Sequence, residues 1–369
     1  MLYPMGPRAS EMELVGQPMK EACRADDSAG ELEQAMDVEF ERPNCVICGE
    51  NEGRPAGAIA WKDITFSYLL CDGCGLKYMS PRPTQASYAQ FYKLEFWDQK
   101  VADQGWRSDP DRQRWQLDPE DGFQKKLGQL NRRGERIAEI VARIAAPASG
   151  ARVLDVGSGF GSVAAALRAR IPCQLLAIEP SDLARAYLED EVGCEIVGRY
   201  AEELLTPQPY DGSVDLVMFN TVLENLIDPV SILASMRRVL APGGRVFVYT
   251  PNFYYSDAMN PYHPYVFAPA SLRAIFELAG LSPVAYHGEP DPKPNAAPVC
   301  ASLFESVHFA LVGDVAAAGA AAHQATSPPR PSLEQIERGQ AHGLQCIEEE
   351  RARRRAKKLR KRKKVTDAA

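Results

Sequence analysis

The chain has 369 residues, enough for two domains and a full α/β core. Its net charge of −7 hides a division: residues 351–369 carry 11 Lys/Arg against one Asp, leaving −17 on the other 350. No apolar run approaches the ~20 residues that span a bilayer, no basic-then-apolar leader is seen, and four of nine cysteines form two Cys-x-x-Cys pairs; these features exclude a membrane span and a disulfide framework, and the expected location is cytoplasmic.

Residues 1–42 are polar and acidic without sustained apolar period, which predicts a disordered leader. Residues 43–78 contain Cys45, Cys48, Cys71 and Cys74. A two-residue gap lets two thiolates reach one ion from a tight knuckle, and two knuckles complete a structural Zn²⁺ site with no open coordination position. Gly49 and Gly75 follow the second cysteine of each pair, and Ala58–Leu70, with Trp61, Ile64, Phe66 and Tyr68, predicts a hairpin between them. Residues 79–132 are expected to be a helical connection or lid, with Phe96, Trp97, Trp106, Trp115 and Phe123 packing on the core.

From Arg133 to Ala146 the apolar residues Ile137, Ile140, Val141 and Ile144 recur at three and four, the period of an amphipathic helix. Strands are then predicted near 151–156, 174–178, 194–197, 213–219 and 245–250, with helices near 160–170, 182–191, 201–205 and 229–239. This alternation gives the fold class: α/β, a Rossmann-like, doubly wound, mostly parallel sheet over 133–312, preceded by the small ribbon. Another helix is expected over 271–281, and Pro283–Tyr286 with Ser306–Val312 reads as a final antiparallel pair. Residues 313–331 read as a linker and 332–369 as a charged helical tail; a solvated tail is the first reading, and polyanion contact (RNA or an anionic membrane surface) or contact with the acidic body of a neighbouring subunit are the alternatives.

The functional centre is predicted where the first core strand ends. Val153-Leu154-Asp155-Val156 runs into Gly157-Ser158-Gly159-Phe160-Gly161, a glycine-rich turn onto a helix N-terminus where backbone N–H groups face a ligand. Glu179, ending the second strand, stands where a carboxylate suits two ribose hydroxyls. A nicotinamide fingerprint requires a third glycine at position 162, and this chain has Ser162.

The series Asp155 to Gly161, Ile178-Glu179-Pro180-Ser181, Val214-Asp215-Leu216-Val217, Val222-Leu223-Glu224-Asn225 and Leu240-Ala241-Pro242-Gly243-Gly244 resembles the class I S-adenosylmethionine-dependent methyltransferases, in their motif order. Leu76 to Thr84, behind the cysteines, is similar to the lead-in of a bacterial group with an N-terminal zinc ribbon, often tied to sugars, glycans or other small products. The resemblance implies that Gly157, Ser158, Gly159 and Gly161 admit the amino-acid end of S-adenosyl-L-methionine, Asp155 orders that loop and Glu179 holds the ribose. It further implies that Ala201 and Glu202 contact adenine and that Asn220 lies where donor and acceptor meet.

Two departures bear on mechanism. Tyr200 stands where the family often has aspartate, and Asn225 where many relatives have histidine. Asparagine is no base near neutral pH, so His263, on a Pro/Tyr-rich loop after the fifth strand, is the candidate catalytic residue. The expected reaction is methyl transfer to a small-molecule or sugar-like acceptor, at oxygen. The alternatives are an RNA methyltransferase using ribbon and tail, a deoxysugar C-methyltransferase, and a scaffold that binds the donor without turnover.

Overall fold

The computed structural model describes residues 38–61, 64–91, 122–254, 259–288, 308–315 and 341. The leader through residue 37, the aromatic stretch 92–121, the insertion at 289–298, the linker after 315 and the charged tail apart from 341 lie outside the described residues.

The chain opens with β1 (Phe40–Glu41), a hairpin of β2 (Gly53–Trp61) and β3 (Ile64–Cys71), then β4 (Lys77–Met79), β5 (Arg82–Pro83) and the short helix α1 (Gln85–Phe91). Helix α2 (Gly122–Ile144) starts eleven residues before the expected onset at Arg133, because Gly122–Arg132 continues without a proline or a cap to stop it. Its predicted apolar stripe is the buried one, with Ile137 and Val141 wholly enclosed. The core follows as β6 (Ala151–Val156), α3 (Ser162–Arg170), β7 (Cys173–Ile178), α4 (Asp182–Tyr187), β8 (Glu195–Gly198), β9 (Val214–Asn220), α5 (Pro229–Val239) and β10 (Leu240–Pro251). The last elements are β11 (Tyr265–Val266), α6 (Pro269–Leu278), β12 (Leu281–His287) and β13 (His308–Val315).

Local chemistry sets several boundaries. Ser181 caps α4 by accepting from the Ala184 amide at 3.2 Å, and Asp228 caps α5 by accepting from Ser231 at 3.0 Å, with Pro229 at the first helical position. The helix expected over 182–191 divides: α4 gives way to a π-type turn, Leu188–Val192, closed by Gly193 in the left-handed region at φ 67°. The segment 201–205 winds as a 3-10 turn. The Pro-Gly-Gly segment at 242–244 is an irregularity within β10, where the register against β9 shifts between Leu240 and Arg245.

The large sheet has the order β12-β13-β10-β9-β6-β7-β8. Strands β6 to β10 pair in parallel, while β13 runs antiparallel to both β10 and β12. Numbered within this sheet the order is 7 between 5 and 6 on an otherwise doubly wound 3-2-1-4-5-6 plan, so the predicted antiparallel closing pair is present. The order reverses between β6 and β9, and the crevice at their carboxyl ends is the topological switch point where open α/β sheets bind ligands.

Two apolar layers flank the sheet. One joins α2, α3 and the π-type turn to Val153, Leu175, Leu216 and Phe247. Gly134 lets α2 cross α3 closely: a Cβ there would stand 2.4 Å from the Ser162 carbonyl oxygen. The other layer continues from α5 and α6 through Leu154, Phe219 and Val248 to Cys45, Cys71, Leu76 and Tyr78 of the ribbon. Ribbon and α/β core therefore share one apolar layer. They also share a sheet: β11, from the loop after β10, pairs antiparallel with β4 and gives the ribbon the order β11-β4-β3-β2.

Candidate functional site

At the switch point three glycines lie in the left-handed region for different reasons. A Cβ on Gly157 (φ 68°) would stand 2.5 Å from Val222 Cγ2, so that turn presses against the loop after β9. Gly161 (φ 65°) precedes α3 without a side-chain cap, and a Cβ there would meet Leu188 Cδ2 at 2.6 Å. Around Gly159 (φ 54°) a Cβ would meet nothing within 4 Å, so here the loop faces open space. Ser158 fastens the turn by donating its hydroxyl to the Asp155 carbonyl at 2.6 Å.

Glu179, 1% exposed, ties this loop to the end of β7. One carboxylate oxygen accepts from the Gly159 amide at 2.7 Å and the other from the Ser181 amide at 2.9 Å. Burial pushes its pKa up to about 7, against the opposing pull of those two amides and the Arg185 guanidinium. Asp155 is buried beside it, with Oδ1 unpartnered, and burial followed by the Glu179 charge raises it to about 8. Two buried carboxyls of raised pKa on adjacent strand ends make this crevice the candidate functional site. In the turn after β8, Ala201 is buried and Glu202 is half-buried near Gln85 of α1. The neighbouring Glu203 closes the turn by accepting from the amides of Arg199 and Tyr200 at 2.8 and 2.9 Å.

The other side of the crevice is built from the ends of β9 and β10. Asn220, the last residue of β9, keeps a buried Oδ1 without a partner. Thr221 takes φ 56°, a strained value for a β-branched residue, and its amide donates to the Tyr249 carbonyl at 2.7 Å. The strain turns the chain so that Glu224, 1% exposed, meets Thr250, whose hydroxyl donates to Oε2 at 3.1 Å. Glu224 Oε1 has no partner, and burial raises this carboxyl to about 7, countered by the Thr250 hydrogen bond and Arg133. Asn225 donates from Nδ2 to the Thr221 carbonyl at 3.3 Å and keeps Oδ1 unpartnered.

His263, the residue predicted to be catalytic, is 3% exposed on the loop that leads into β11, and its carbonyl accepts from the Tyr68 hydroxyl at 2.7 Å. His308, at the start of β13, stacks on Tyr249 at 5.1 Å between ring centroids. Desolvation, then the Arg133 and His263 charges, holds His308 well below its usual pKa. The structure thus gathers Glu224, Thr250, Tyr249, Arg133 and His308 at one rim. Sequence reasoning assigned none of them a role, although Glu224 stood within a quoted motif.

The four predicted metal ligands converge. Their Sγ atoms lie within 4.8 Å of one another, with Cys45 to Cys74 and Cys48 to Cys71 both at 3.4 Å. The two knuckles repeat one backbone pattern. Cys45 donates to the Glu50 carbonyl and receives from the Gly49 amide; Cys71 donates to Leu76 and receives from Gly75. Gly49 and Gly75 have φ of 74° and 73°, and that matching left-handed turn is why glycine follows each pair. Four sulfurs so placed fit a tetrahedral ion with bonds of about 2.3 Å.

Residues 129–286 match the family model described as a methyltransferase domain. The ubiquinone biosynthesis O-methyltransferase of Xanthomonas campestris pv. campestris (strain B100) is 39% identical over 137 residues, covering 36% of this chain and 54% of that one. That of Xylella fastidiosa (strain 9a5c) is 38% identical over 135 residues, covering 36% and 52%. The chain spans about half the length of these curated relatives. A solved SAM-dependent methyltransferase from Aquifex aeolicus superposes with a TM-score of 0.38 at 19% identity, over 49% of this chain and 89% of that one.

Proposed function

We infer that residues 129–286, which match a methyltransferase-domain model, form a class I S-adenosylmethionine-dependent methyltransferase domain. The chain moves the donor's methyl group to an oxygen of a small-molecule or sugar-like acceptor. The supporting observation is the Glu179 carboxylate, fixed by the amides of Gly159 and Ser181 beside the open side of the glycine turn. S-adenosyl-L-methionine would lie against Gly157–Gly161 with its ribose on Glu179 and its adenine by Ala201 and Glu202. When bound it supplies an electrophilic methyl on a positively charged sulfur. Oxygen as acceptor atom accords with the relatives, which are named O-methyltransferases.

The protein's part is to position, to exclude water and to receive a proton. Asn220 and Asn225, with unpartnered Oδ1 atoms at the strand end, would hold the acceptor by its hydroxyl hydrogens. Glu224 Oε1 is the group best placed to take the proton, and a carboxylate of pKa about 7 suits that task. His263 would then wall the acceptor rather than deprotonate it. The four cysteines would hold Zn²⁺ in a closed structural site.

Calorimetric titration with S-adenosylhomocysteine and with NADH, beside a Glu179→Ala variant, tests this reading. We expect binding of the former alone, weakened about 10- to 100-fold in the variant by loss of charge-assisted hydrogen bonds. Binding of NADH, or an unchanged affinity in the variant, would overturn it. A screen of hydroxylated acceptors with labelled methyl donor then identifies the product.

A further inference from the structure

We propose that the four-cysteine ribbon is the clamp that sets the acceptor loop, acting through Tyr68 as a positioning residue. This rests on the acceptor-side reading above, but its physical core is independent of any acceptor. The loop 259–267 hangs on the ribbon strands at four points and on α1 at a fifth. Strand β11 pairs with β4, Tyr265 opposite Tyr78 and Val266 opposite Lys77. The Met79 amide donates to the Pro264 carbonyl at 2.8 Å. The Tyr68 hydroxyl lies 2.8 Å from the Asn260 carbonyl and 2.7 Å from that of His263, and accepts from the Asn260 amide at 3.3 Å. The Tyr88 hydroxyl donates to the Tyr262 carbonyl. At the bulge in β2, Gly57 leaves room for Met259, whose sulfur would stand 2.8 Å from a Cβ there.

These contacts lie close to the thiolates. Tyr68 precedes Cys71 by three residues on β3, and Lys77 follows Cys74 by three and opens β4. Lys77, 2% exposed, reaches between the Tyr68 and Phe253 rings at 5.6 and 5.5 Å from their centroids, joining the ribbon to the end of β10. Arg82 donates to Tyr265 Oη at 2.7 Å and to the Ile227 carbonyl at 3.2 Å, carrying the tie to the turn that holds Glu224. An ion that fixes the two knuckles therefore fixes β3 and β4, and with them the backbone of His263. Glu179 and the glycine turn make none of these contacts, so the donor half is predicted to be indifferent to the metal.

Hydrogen–deuterium exchange on the full chain tests this, with Zn²⁺ bound, after chelation, and in Tyr68→Phe, which keeps the ring and removes the hydroxyl. We expect exchange over 259–267 to rise at least tenfold on chelation. In Tyr68→Phe it should rise severalfold with zinc retained, and S-adenosylhomocysteine affinity should stay within about twofold in both cases. The chain has only five histidines, so the imidazole resonance of His263, assigned with His263→Gln, gives a second readout that should shift in Tyr68→Phe. Exchange confined to 45–79 on chelation, or an unmoved loop and resonance in Tyr68→Phe, would overturn the clamp. If coupling appears and no acceptor is ever methylated, the clamp is supported and the acceptor reading fails.

Discussion

The two halves of the crevice are built by different means. The proposed donor half is local and made largely of backbone: the turn 157–161 and the strand end at Glu179, whose carboxylate accepts from the Gly159 amide at 2.7 Å and from the Ser181 amide at 2.9 Å. The proposed acceptor half is assembled from side chains that are distant in sequence, with Arg133 from α2, Glu224 from the turn after β9, Thr250 from the end of β10, His308 from β13 and Tyr68 from the ribbon. A backbone cradle serves one constant ligand. A patchwork rim can change one piece at a time, which is what choice of acceptor requires.

The largest expected effect separates the halves directly. Glu224→Gln should lower kcat by about 10²- to 10⁴-fold, the usual contribution of a positioned base, and leave S-adenosylhomocysteine affinity nearly unchanged. In the parent enzyme the rate should rise as pH passes about 7, where the carboxylate ionises, and the variant should lose that limb. If donor affinity falls with the rate, Glu224 belongs to both halves and the contrast fails.

A second effect concerns pH and stability. Asp155 is raised from 3.8 to about 8 by burial and Glu179, so between those values the folded chain binds more protons than the unfolded one. Stability is therefore fullest below pH 4 for this group and is lost as pH rises towards 8, by on the order of a few kcal/mol. Urea unfolding at pH 5 and pH 8 should show that slope, to which the raised Glu179 and Glu224 add with the same sign, and Asp155→Asn should reduce it. A flat parent profile would mean that the donor half carries no stored cost.

The smallest effects sharpen the description of the glycine turn. Gly157→Ala should cost about 2–3 kcal/mol in urea unfolding, from the left-handed φ and the clash with Val222. Gly159→Ala meets no neighbour and should cost only about 1 kcal/mol, while weakening donor binding severalfold. Equal stability losses would remove the distinction between a packing glycine and a ligand-facing one.

The same division explains what was legible beforehand. The donor half rests on short-range signals, so the strand, turn and helix around Gly157–Gly161 fell where periodicity and glycine placed them. The paired cysteines and their trailing glycines were local too, and the matching knuckles follow from them. The rim was not local. Glu224 becomes notable only because Thr221 turns at positive φ and delivers it to Thr250, a pairing across 26 residues that no period encodes. Nor does any pattern show that Tyr265 adds a strand to a ribbon ending nearly 190 residues earlier. Ser162 is an intermediate case. Its lack of glycine was visible, but the close helix approach it displaced reappears at Gly134 on α2.

The shared small sheet also orders the birth of the molecule. During synthesis the second cysteine pair leaves the ribosome about 190 residues before β11, so the ribbon emerges with one edge of β4 unmatched. The large sheet waits in the same way, because β13, made last, must slide between β10 and β12. Both sheets are thus sealed by late arrivals across long chain separations, which is slow to nucleate. A nascent chain halted before residue 265 would expose two strand edges at once, so this protein's exposure to mispairing is greatest while it is being made rather than after it has folded.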